Sequence, residues 1–199
     1  VSIAEEFRKL KKDILVISPK SLRYNFKKEI ITFNKKLNKK ITEDEIENKY
    51  NFITLGASNM LDQLNIEAKY DKILRKVTEA NLENKLLIID EAHLLFNSIV
   101  NGSKIANEFY NLVMNTKNIK ILFLTATPIT NTPFELVPVL NMCHGYIINP
   151  INNKKTTILP EDYGDFYNLY VDEGQNKIKN KEKFQNRLFG LVSYYNKLY

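Results

Sequence analysis

Cysteine, histidine and long apolar runs are scarce in this chain of 199 residues. Cys143 is the single cysteine, so no internal disulfide can form, which fits a reducing, intracellular environment. The two histidines, His93 and His144, have no cysteine or histidine at metal-ligand spacing, which argues against a zinc site. No apolar run reaches transmembrane length and Val1 begins no signal peptide, so we expect no membrane partner.

Glycine is scarce as well, and its spacing excludes one kind of site. The six glycines include no two that are five residues apart, and none precedes a Lys-Ser/Thr pair. A phosphate-binding loop of the Gly-x4-Gly-Lys-Ser/Thr type needs both features, because its backbone N–H groups and its lysine surround the phosphates. These 199 residues therefore contain no such loop.

Positive charge is present in excess and is concentrated towards the two ends. The net charge is +6, with twelve basic and four acidic residues up to Lys40, and six basic and one acidic from Gln175 onward. Two basic ends around a neutral middle favour a polyanionic partner. The alternative is that these lysines are ordinary solvent-exposed residues on helix faces. For the stretch after Gln175 we prefer that alternative.

The most informative stretch is residues 86–93, four aliphatic residues followed by Asp90, Glu91, Ala92 and His93. An unbroken apolar run of this length predicts a strand buried on both faces of a parallel sheet. A carboxylate at its end could hold hydrated Mg²⁺, and a second could orient or deprotonate a water that attacks a γ-phosphate. The alternative is an acidic start to a helix, where the helix dipole favours negative charge.

A second apolar run, residues 121–124, also predicts a buried strand, and it leads into Thr125, Ala126, Thr127 and Pro128. The proline ends the strand because it has no N–H for the ladder. Residues 99–115 show helical spacing and predict a single crossover helix between the two strands. A strand, helix and strand in this order form a right-handed parallel unit, so both polar strand ends should lie on one edge of an α/β sheet.

The remaining periodicity predicts two further strands and several helices. The strands are residues 13–17, which Ser18 and Pro19 end, and residues 50–55, and a short apolar run within residues 141–148 favours a further strand. Ser21 is expected to cap a helix that buries Phe26 and Ile30, and Thr42 to cap a short helix towards Glu45. Three further expectations concern the rest of the chain: a helix on residues 1–12 with Ile3, Phe7 and Leu10 on its apolar face, a helix that begins at Pro133, and core positions for Tyr163, Phe166, Tyr167 and Tyr170.

Two of these strings together resemble a known family. Asp-Glu-Ala-His at residues 90–93 and Leu-Thr-Ala-Thr-Pro at residues 124–128 look like motifs II and III of superfamily-two DEAH-box helicases and translocases. The longer string at residues 124–140 is similar to the Snf-type branch, which includes ATPases and early transcription factor subunits of large DNA viruses. Residues 18–29 are similar to motif Ia of that family, and residues 56–59 resemble its motif Ib more weakly.

The resemblance implies a fold, a division of the chain and a set of site residues. The fold is α/β, a parallel sheet flanked by helices in a partial RecA-like lobe, with residues 1–150 as the ATP-binding lobe and 151–199 as a helical extension. The implied cofactors are ATP and Mg²⁺, and the implied partner is nucleic acid, DNA rather than RNA. The implied roles are water-mediated Mg²⁺ binding by Asp90, positioning of the attacking water by Glu91, coupling of nucleotide to nucleic acid by His93, Thr125, Ala126 and Thr127, and backbone contacts by Ser18, Pro19, Lys20, Ser21, Ser58 and Asn59.

The missing phosphate-binding loop leaves three functional interpretations open. The first is part of an ATP-dependent helicase or translocase that works with the remainder of such a chain or with a partner subunit, and that hydrolyses ATP very poorly alone. The second is a non-catalytic nucleic-acid-binding or transcription-associated module, and the third is a structural protein on a borrowed lobe. The viral resemblance extends the expected location to a virion or a viral factory in the host cytoplasm.

Overall fold

The structure is a computed structural model that describes residues 1–10, 12–64, 82–172, 174 and 177–194. It contains two compact units, Val1–Thr127, which we call the sheet unit, and Pro128–Tyr199, which we call the helical unit. The division at residue 150 was drawn from the extent of a family lobe rather than from compactness, and it stays a prediction. The connector that the sequence predicts over residues 69–84 falls mostly outside the described residues.

The sheet unit is built on four parallel strands in the order β2-β1-β3-β4. All four strands that the sequence predicts in this unit are confirmed, and β1 and β3, which lie in the middle of the sheet, are almost entirely buried. Long apolar runs belong in such central strands because helices cover both faces of the sheet. The strands are β1 Ile14–Ser18, β2 Tyr50–Thr54, β3 Leu86–Asp90 and β4 Lys120–Leu124.

Full burial of the fourth strand was a wrong prediction. Both ends of β4 are exposed and its three middle residues are only half-buried. The reason is its place in the sheet, since among the described strands β4 pairs with β3 alone. An apolar run shows that a strand packs against something, but it cannot tell a central strand from an edge strand.

Six helices are described in the sheet unit, and they correct one element of the predicted topology. The crossover between β3 and β4 is two helices rather than one, separated by a turn in which Gly102 has φ of +79°. A glycine in this left-handed conformation ends a helix readily. Phe109 and Val113 are buried as expected, whereas Ile105 and Leu112 are half-buried. The helices are α1 Ser2–Lys9, α2 Arg23–Lys36, α3 Glu43–Lys49, α4 Met60–Leu64, α5 His93–Val100 and α6 Lys104–Asn115.

The predicted helix starts were right at one place and wrong at another. Thr42 caps α3, accepting a hydrogen bond from the Glu45 N–H while the Glu45 carboxylate accepts one from the Thr42 N–H. Ser21 does not cap α2. It lies exposed in a 3-10 turn, Lys20–Leu22, that leads directly into the helix. The predicted burial of Phe26 and Ile30 on α2 is confirmed.

Helix α1 buries only part of the face that its apolar residues predict, since Phe7 is half-buried and packs against the core. Ile3 and Leu10 are exposed, and Ala4 and Glu5 are buried instead. The Tyr50 hydroxyl at the start of β2 donates a hydrogen bond to Glu5 Oε1, and Arg8 Nε donates one to Glu5 Oε2 at 2.8 Å. A carboxylate can be buried when its oxygens are satisfied in this way.

The partners of Glu5 also set its protonation state. Burial raises the pKa of Glu5, but the hydrogen bonds from Arg8 and Tyr50 and the Arg8 charge outweigh it and hold the pKa below the usual value of 4.5. Burial raises the pKa of Tyr50, and its hydrogen bond to Glu5 raises it further. The group therefore consists of an ionised carboxylate between a neutral phenol and a guanidinium.

The helical unit combines three helices with two short hairpins. The predicted helix start at Pro133 is confirmed, as a 3-10 turn, Pro133–Glu135, that continues into α7. The first half of the strand predicted over residues 141–148 is helix, which ends where Gly145 has φ of +77°, and only Ile147–Ile148 is strand. The elements are α7 Leu136–His144, β5 Ile147–Ile148 paired with β6 Lys155–Thr156, α8 Tyr163–Tyr170, β7 Val171–Asp172 paired with β8 Lys177–Ile178, and α9 Lys181–Leu188.

The core of the helical unit is aromatic, as the sequence predicts. Phe166 and Tyr170 on α8 are buried against Phe184 on α9, while Tyr163 remains 50% exposed. Buried Asn141 bonds both backbone groups of Leu159, donating from Nδ2 at 3.1 Å and accepting at Oδ1 at 3.0 Å. None of the helices in the described part of the chain has the length and apolar character needed to cross a bilayer.

Candidate functional site

The carboxyl ends of the four parallel strands form one edge of the sheet, and the predicted site residues lie along it. Ser18 at the end of β1 is level with Thr54 at the end of β2, and Asp90 is level with Leu124. Backbone bonds extend each pair beyond the strands, from Leu55 N–H to the Ser18 carbonyl and from Ala92 N–H to the Leu124 carbonyl, both at 3.0 Å. Ligands of open α/β sheets bind at this edge.

Asp90 and Glu91 form a tight turn directly after β3. Glu91 has φ of +53°, in the left-handed region that a non-glycine residue adopts at a cost of about 1–2 kcal/mol. Asp90 Oδ1 accepts a hydrogen bond from the Glu91 N–H at 3.1 Å, which stabilises the turn locally. Both carboxylates therefore lie between the end of β3 at Asp90 and the start of α5 at His93.

His93 joins this turn to the end of β4. Its Nδ1 lies 2.9 Å from Thr125 Oγ1 and 3.3 Å from Glu91 Oε2. Because an ionised carboxylate only accepts hydrogen bonds, the contact with Glu91 is attractive when Nδ1 carries the proton. The imidazole is then held between a carboxylate from one strand end and a hydroxyl from the next.

The residues after β4 complete the arrangement. The Thr127 N–H donates to Thr125 Oγ1 at 3.1 Å, which fixes the hydroxyl that faces His93. Ala126 and Thr127 are exposed, and Thr125 is half-buried. The structure therefore brings Glu91, His93 and Thr125 into contact, connects Thr127 to them through its backbone, and leaves Ala126 at the surface between the two threonines.

The oxygens at this turn suit a hard cation, but they do not form a closed metal cage. Among the described residues there is no group of three or more His, Cys, Asp or Glu side chains that could surround a metal ion. Mg²⁺ commonly binds through one or two carboxylates and completes its shell with water and substrate phosphates. Asp90 and Glu91 match that use, since the Glu91 side chain is 39% exposed.

The other half of the edge, after β1 and β2, presents neutral and basic groups. Ser18 is fully buried and Pro19 half-buried, whereas Lys20 and Ser21 are exposed in the 3-10 turn. The Ser18 hydroxyl therefore does not face solvent, and within this segment Lys20 and Ser21 offer the donors for a phosphate. The contact predicted for Ser18 and Pro19 stays a prediction.

The turn after β2 exposes the second predicted contact pair, Ser58 and Asn59. Gly56 has φ of +75°, which lets the chain turn out of the strand. Gln63 on α4 supports this turn. It accepts a hydrogen bond from the Thr54 N–H at 2.9 Å and donates one to Asn59 Oδ1 at 2.8 Å. That bond uses the oxygen of Asn59 and orients its amide, whose N–H groups are the donors that a phosphate needs.

Gln63 and Arg23 are supporting residues that the sequence alone did not identify. Arg23 Nη2 donates to the Phe52 carbonyl at 3.2 Å and to Thr54 Oγ1 at 3.1 Å, which fixes the start of α2 beside the end of β2. The spacing of Asn59 and Gln63, four residues apart, could have revealed their contact on a helix. No local pattern relates Arg23 to a strand that begins 27 residues later, at Tyr50.

Comparisons with known proteins agree with this architecture. A family model described as the SNF2-related domain matches residues 3–193. The chain is 37% identical over 188 residues to the termination factor NPH-I homolog of African swine fever virus, covering 90% of this chain and 24% of that protein. It is 27% identical to a putative ATP-dependent RNA helicase of Acanthamoeba polyphaga mimivirus, covering 98% of this chain and 34% of that protein.

A solved structure has the same fold. The Sulfolobus solfataricus SWI2/SNF2 ATPase core in complex with dsDNA superimposes with a TM-score of 0.50 at 20% identity, covering 96% of this chain and 35% of that one. The expected α/β lobe, a parallel sheet flanked by helices, is thereby confirmed. The chain spans about a quarter of the length of the viral termination factor homolog and about a third of the ATPase core.

Proposed function

The chain belongs to the SNF2-related domain family, and we propose that it is the part of an ATP-dependent nucleic-acid translocase that carries the hydrolytic carboxylates and one set of backbone contacts. Its sheet edge would serve two ligands side by side. The half after β3 and β4 would take Mg²⁺ and the nucleotide phosphates, and the half after β1 and β2 would take the nucleic-acid backbone.

For the nucleotide half, support comes from the chemistry of the turn after β3. Asp90 would bind Mg²⁺ through water, and Glu91 would orient the attacking water. His93 lies within hydrogen-bonding distance of Thr125 Oγ1 and close to Glu91, so it can transmit a displacement of the residues after β4 to that carboxylate. ATP and Mg²⁺ are the ligands expected of the family, and other segments of a longer assembly would have to supply the phosphate-binding loop.

For the nucleic-acid half, support comes from exposure and charge. Lys20, Ser21, Ser58 and Asn59 are exposed donors on the same edge as Asp90. Such groups bind phosphate oxygens and fix the position of a protein on nucleic acid without reading its sequence. The structural neighbour is bound to double-stranded DNA, which favours DNA over RNA as the partner of this chain. The viral relative is a termination factor homolog, which favours a role in viral transcription.

The observation that carries the proposal is the left-handed backbone of Glu91. A glycine would adopt that conformation without strain, so a carboxylate kept there indicates that its side chain is needed. The second interpretation, a non-catalytic nucleic-acid-binding module, is favoured only by the missing phosphate-binding loop. The two differ in whether Asp90 and Glu91 still bind a metal.

A paramagnetic metal tests this difference directly. Mn²⁺ is the probe, and its effect is followed on the NMR amide signals of the chain. We expect broadening centred on residues 90–92 and 125–127, because Mn²⁺ prefers the same oxygen ligands as Mg²⁺. Asp90→Asn should remove the broadening, and Asp62→Asn, on α4, should leave it unchanged. If the signals of residues 90–92 are not broadened, the nucleotide half is not a metal site. The same conclusion follows if the broadening persists in Asp90→Asn.

Hydrolysis by the chain alone should remain undetectable, with or without DNA, because its sequence contains no phosphate-binding loop. Steady-state phosphate release checks this expectation, with Glu91→Gln as the control. A robust rate that disappears in Glu91→Gln would contradict it and would mean that these residues hold the phosphates in another way.

A further inference from the structure

The helical unit contains a cavity that none of the predicted site residues line. Its volume is about 300 Å³, and its walls come from the β5–β6 hairpin, the segment before α8, α8 itself and α9. This volume is at the lower limit for ligand pockets, which suits a single phosphate group better than a whole nucleotide. The cavity is thus distinct from the carboxyl edge of the sheet, which belongs to the sheet unit.

Three basic side chains from two different elements line this cavity. Lys155 comes from β6, Lys183 and Arg187 come from α9, and Glu161 is the one acidic lining residue. The helical unit as a whole is close to neutral, with eight basic and seven acidic residues between Pro128 and Tyr199. The excess of positive charge at the cavity is therefore local, and it does not follow from the composition of the unit.

Contacts within the unit hold two of these cations in place. Arg187 Nη1 donates a hydrogen bond to the Ile158 carbonyl in the cavity wall, and a guanidinium has four further N–H donors. Lys155 Nζ lies 5.0 Å from the centroid of the Tyr146 ring, which also lines the cavity. Thr157, another lining residue, donates its hydroxyl proton to the Leu159 carbonyl, so the donors for a phosphate are the basic side chains.

We propose that this cavity is a second phosphate-binding site, and that its ligand is a phosphate of the nucleic-acid backbone. A fixed guanidinium can bind two phosphate oxygens at once, and the exposed Lys183 side chain adds a second positive charge to the lining. The inference rests on the proposed function only in taking nucleic acid as the partner. It adds a contact on the helical unit to those on the sheet edge.

Neighbouring lysines on α9 allow a matched test with the whole 199-residue chain. Lys183 lines the cavity, whereas Lys181 is exposed on the same helix and does not line it. The affinity for a labelled DNA duplex is measured over a range of salt concentrations for Lys183→Gln, Lys181→Gln and Lys20→Gln. We expect Lys183→Gln to lower the slope of log affinity against log salt by about 0.9, the value for one phosphate contact, and Lys181→Gln to leave it unchanged.

The outcomes separate this inference from the proposed function. If Lys20→Gln lowers the slope and Lys183→Gln does not, the sheet-edge contact survives and the cavity site is wrong. Equal effects of Lys183→Gln and Lys181→Gln would also overturn the cavity site, since they would indicate diffuse attraction to α9. If no variant changes the slope, both ideas fail.

A second experiment compares DNA with inorganic phosphate, because a free phosphate anion could bind the same basic side chains as a backbone phosphate. We expect DNA to shift the Arg187 side-chain NMR signal at concentrations at which inorganic phosphate at matched ionic strength does not. A shift that saturates with inorganic phosphate, and that DNA does not produce, would assign the cavity to a small anion and overturn its assignment to nucleic acid.

Discussion

The polar residues at the two ends of the parallel sheet differ in burial and in hydrogen bonding. At the amino end, Glu5 and Tyr50 are 2% and 1% exposed, and their polar atoms bond to each other and to Arg8. At the carboxyl end, Lys20 and Ser21 are exposed, and Glu91 occupies a strained backbone conformation. The first arrangement stabilises the unit. The second leaves donors and carboxylates available at the edge where open α/β sheets bind ligands.

The largest expected effect comes from breaking the buried group at the amino end. Glu5→Ala leaves the Tyr50 hydroxyl without its acceptor inside the protein, and we expect the free energy of unfolding of the sheet unit to fall by about 2 kcal/mol. Hydrogen exchange of the β1 and β3 amides measures this quantity for the sheet unit.

The adjacent glutamate supplies the control for that experiment. Glu6 pairs with Lys9 on the exposed side of the same helix, so Glu6→Ala should change stability by less than about 0.5 kcal/mol. Similar losses for Glu5→Ala and Glu6→Ala would mean that burial of Glu5 contributes little, and the contrast between the two ends of the sheet would be lost.

A smaller effect is expected at the carboxyl end, where strain rather than burial decides the outcome. Glu91→Gly and Glu91→Gln both remove the carboxylate, but only glycine relieves the left-handed backbone. We expect Glu91→Gly to be more stable than Glu91→Gln by about 1 kcal/mol. Denaturant unfolding of the two variants gives the difference.

Gly56 follows β2 as Glu91 follows β3, and both residues have a positive φ. At Gly56, however, the residue is a glycine, which adopts this conformation without strain. An added Cβ at Gly56 would meet no atom within 4 Å, so any effect of Gly56→Ala comes from the backbone alone. We expect this substitution to lower stability by about 1 kcal/mol. If Gly56→Ala is neutral, or if Glu91→Gly is no more stable than Glu91→Gln, the idea that Glu91 is kept at a cost in stability is wrong.

The smallest expected effect is a change in how the stability of the sheet unit depends on pH. The pKa of Glu5 is below its unfolded value of 4.5, so its contribution to stability is fully present above about pH 4.5 and is lost as the pH falls through the lower folded pKa. In Glu5→Gln the stability of the sheet unit should therefore vary less between about pH 5 and pH 3 than in the unchanged chain. Urea unfolding at these two pH values checks this, and an unchanged pH dependence would contradict it.

The sequence was sufficient to locate the four strands of the parallel sheet and the order of polar residues along its carboxyl edge. Apolar runs mark buried strands, and parallel strands bring the residues that follow them to one side, so Asp90, Glu91 and Thr125 could be placed together without coordinates. The contact of His93 with Thr125 follows from that placement. The family resemblance then supplied roles, which a strand pattern alone cannot do.

Other features depend on contacts between residues far apart in the chain. Burial of Glu5 requires Tyr50, which lies 45 residues away, and periodicity counts a glutamate as a surface residue. The division of the crossover at Gly102 and the positive φ of Glu91 are local, but both depend on the backbone path that packing imposes. The cavity on the helical unit joins residues from four separate segments of the chain, and no local pattern shows that they meet.

One measurement tests the contrast between the two ends of the sheet most directly. Lys20 is exposed at the carboxyl end, and Lys40 is exposed after α2, at the amino end. The salt dependence of duplex DNA binding is compared for Lys20→Gln and Lys40→Gln, which remove the same charge. We predict that Lys20→Gln lowers the slope by about 0.9 and that Lys40→Gln leaves it unchanged. An equal or larger loss for Lys40→Gln would contradict the assignment of nucleic-acid binding to the carboxyl edge.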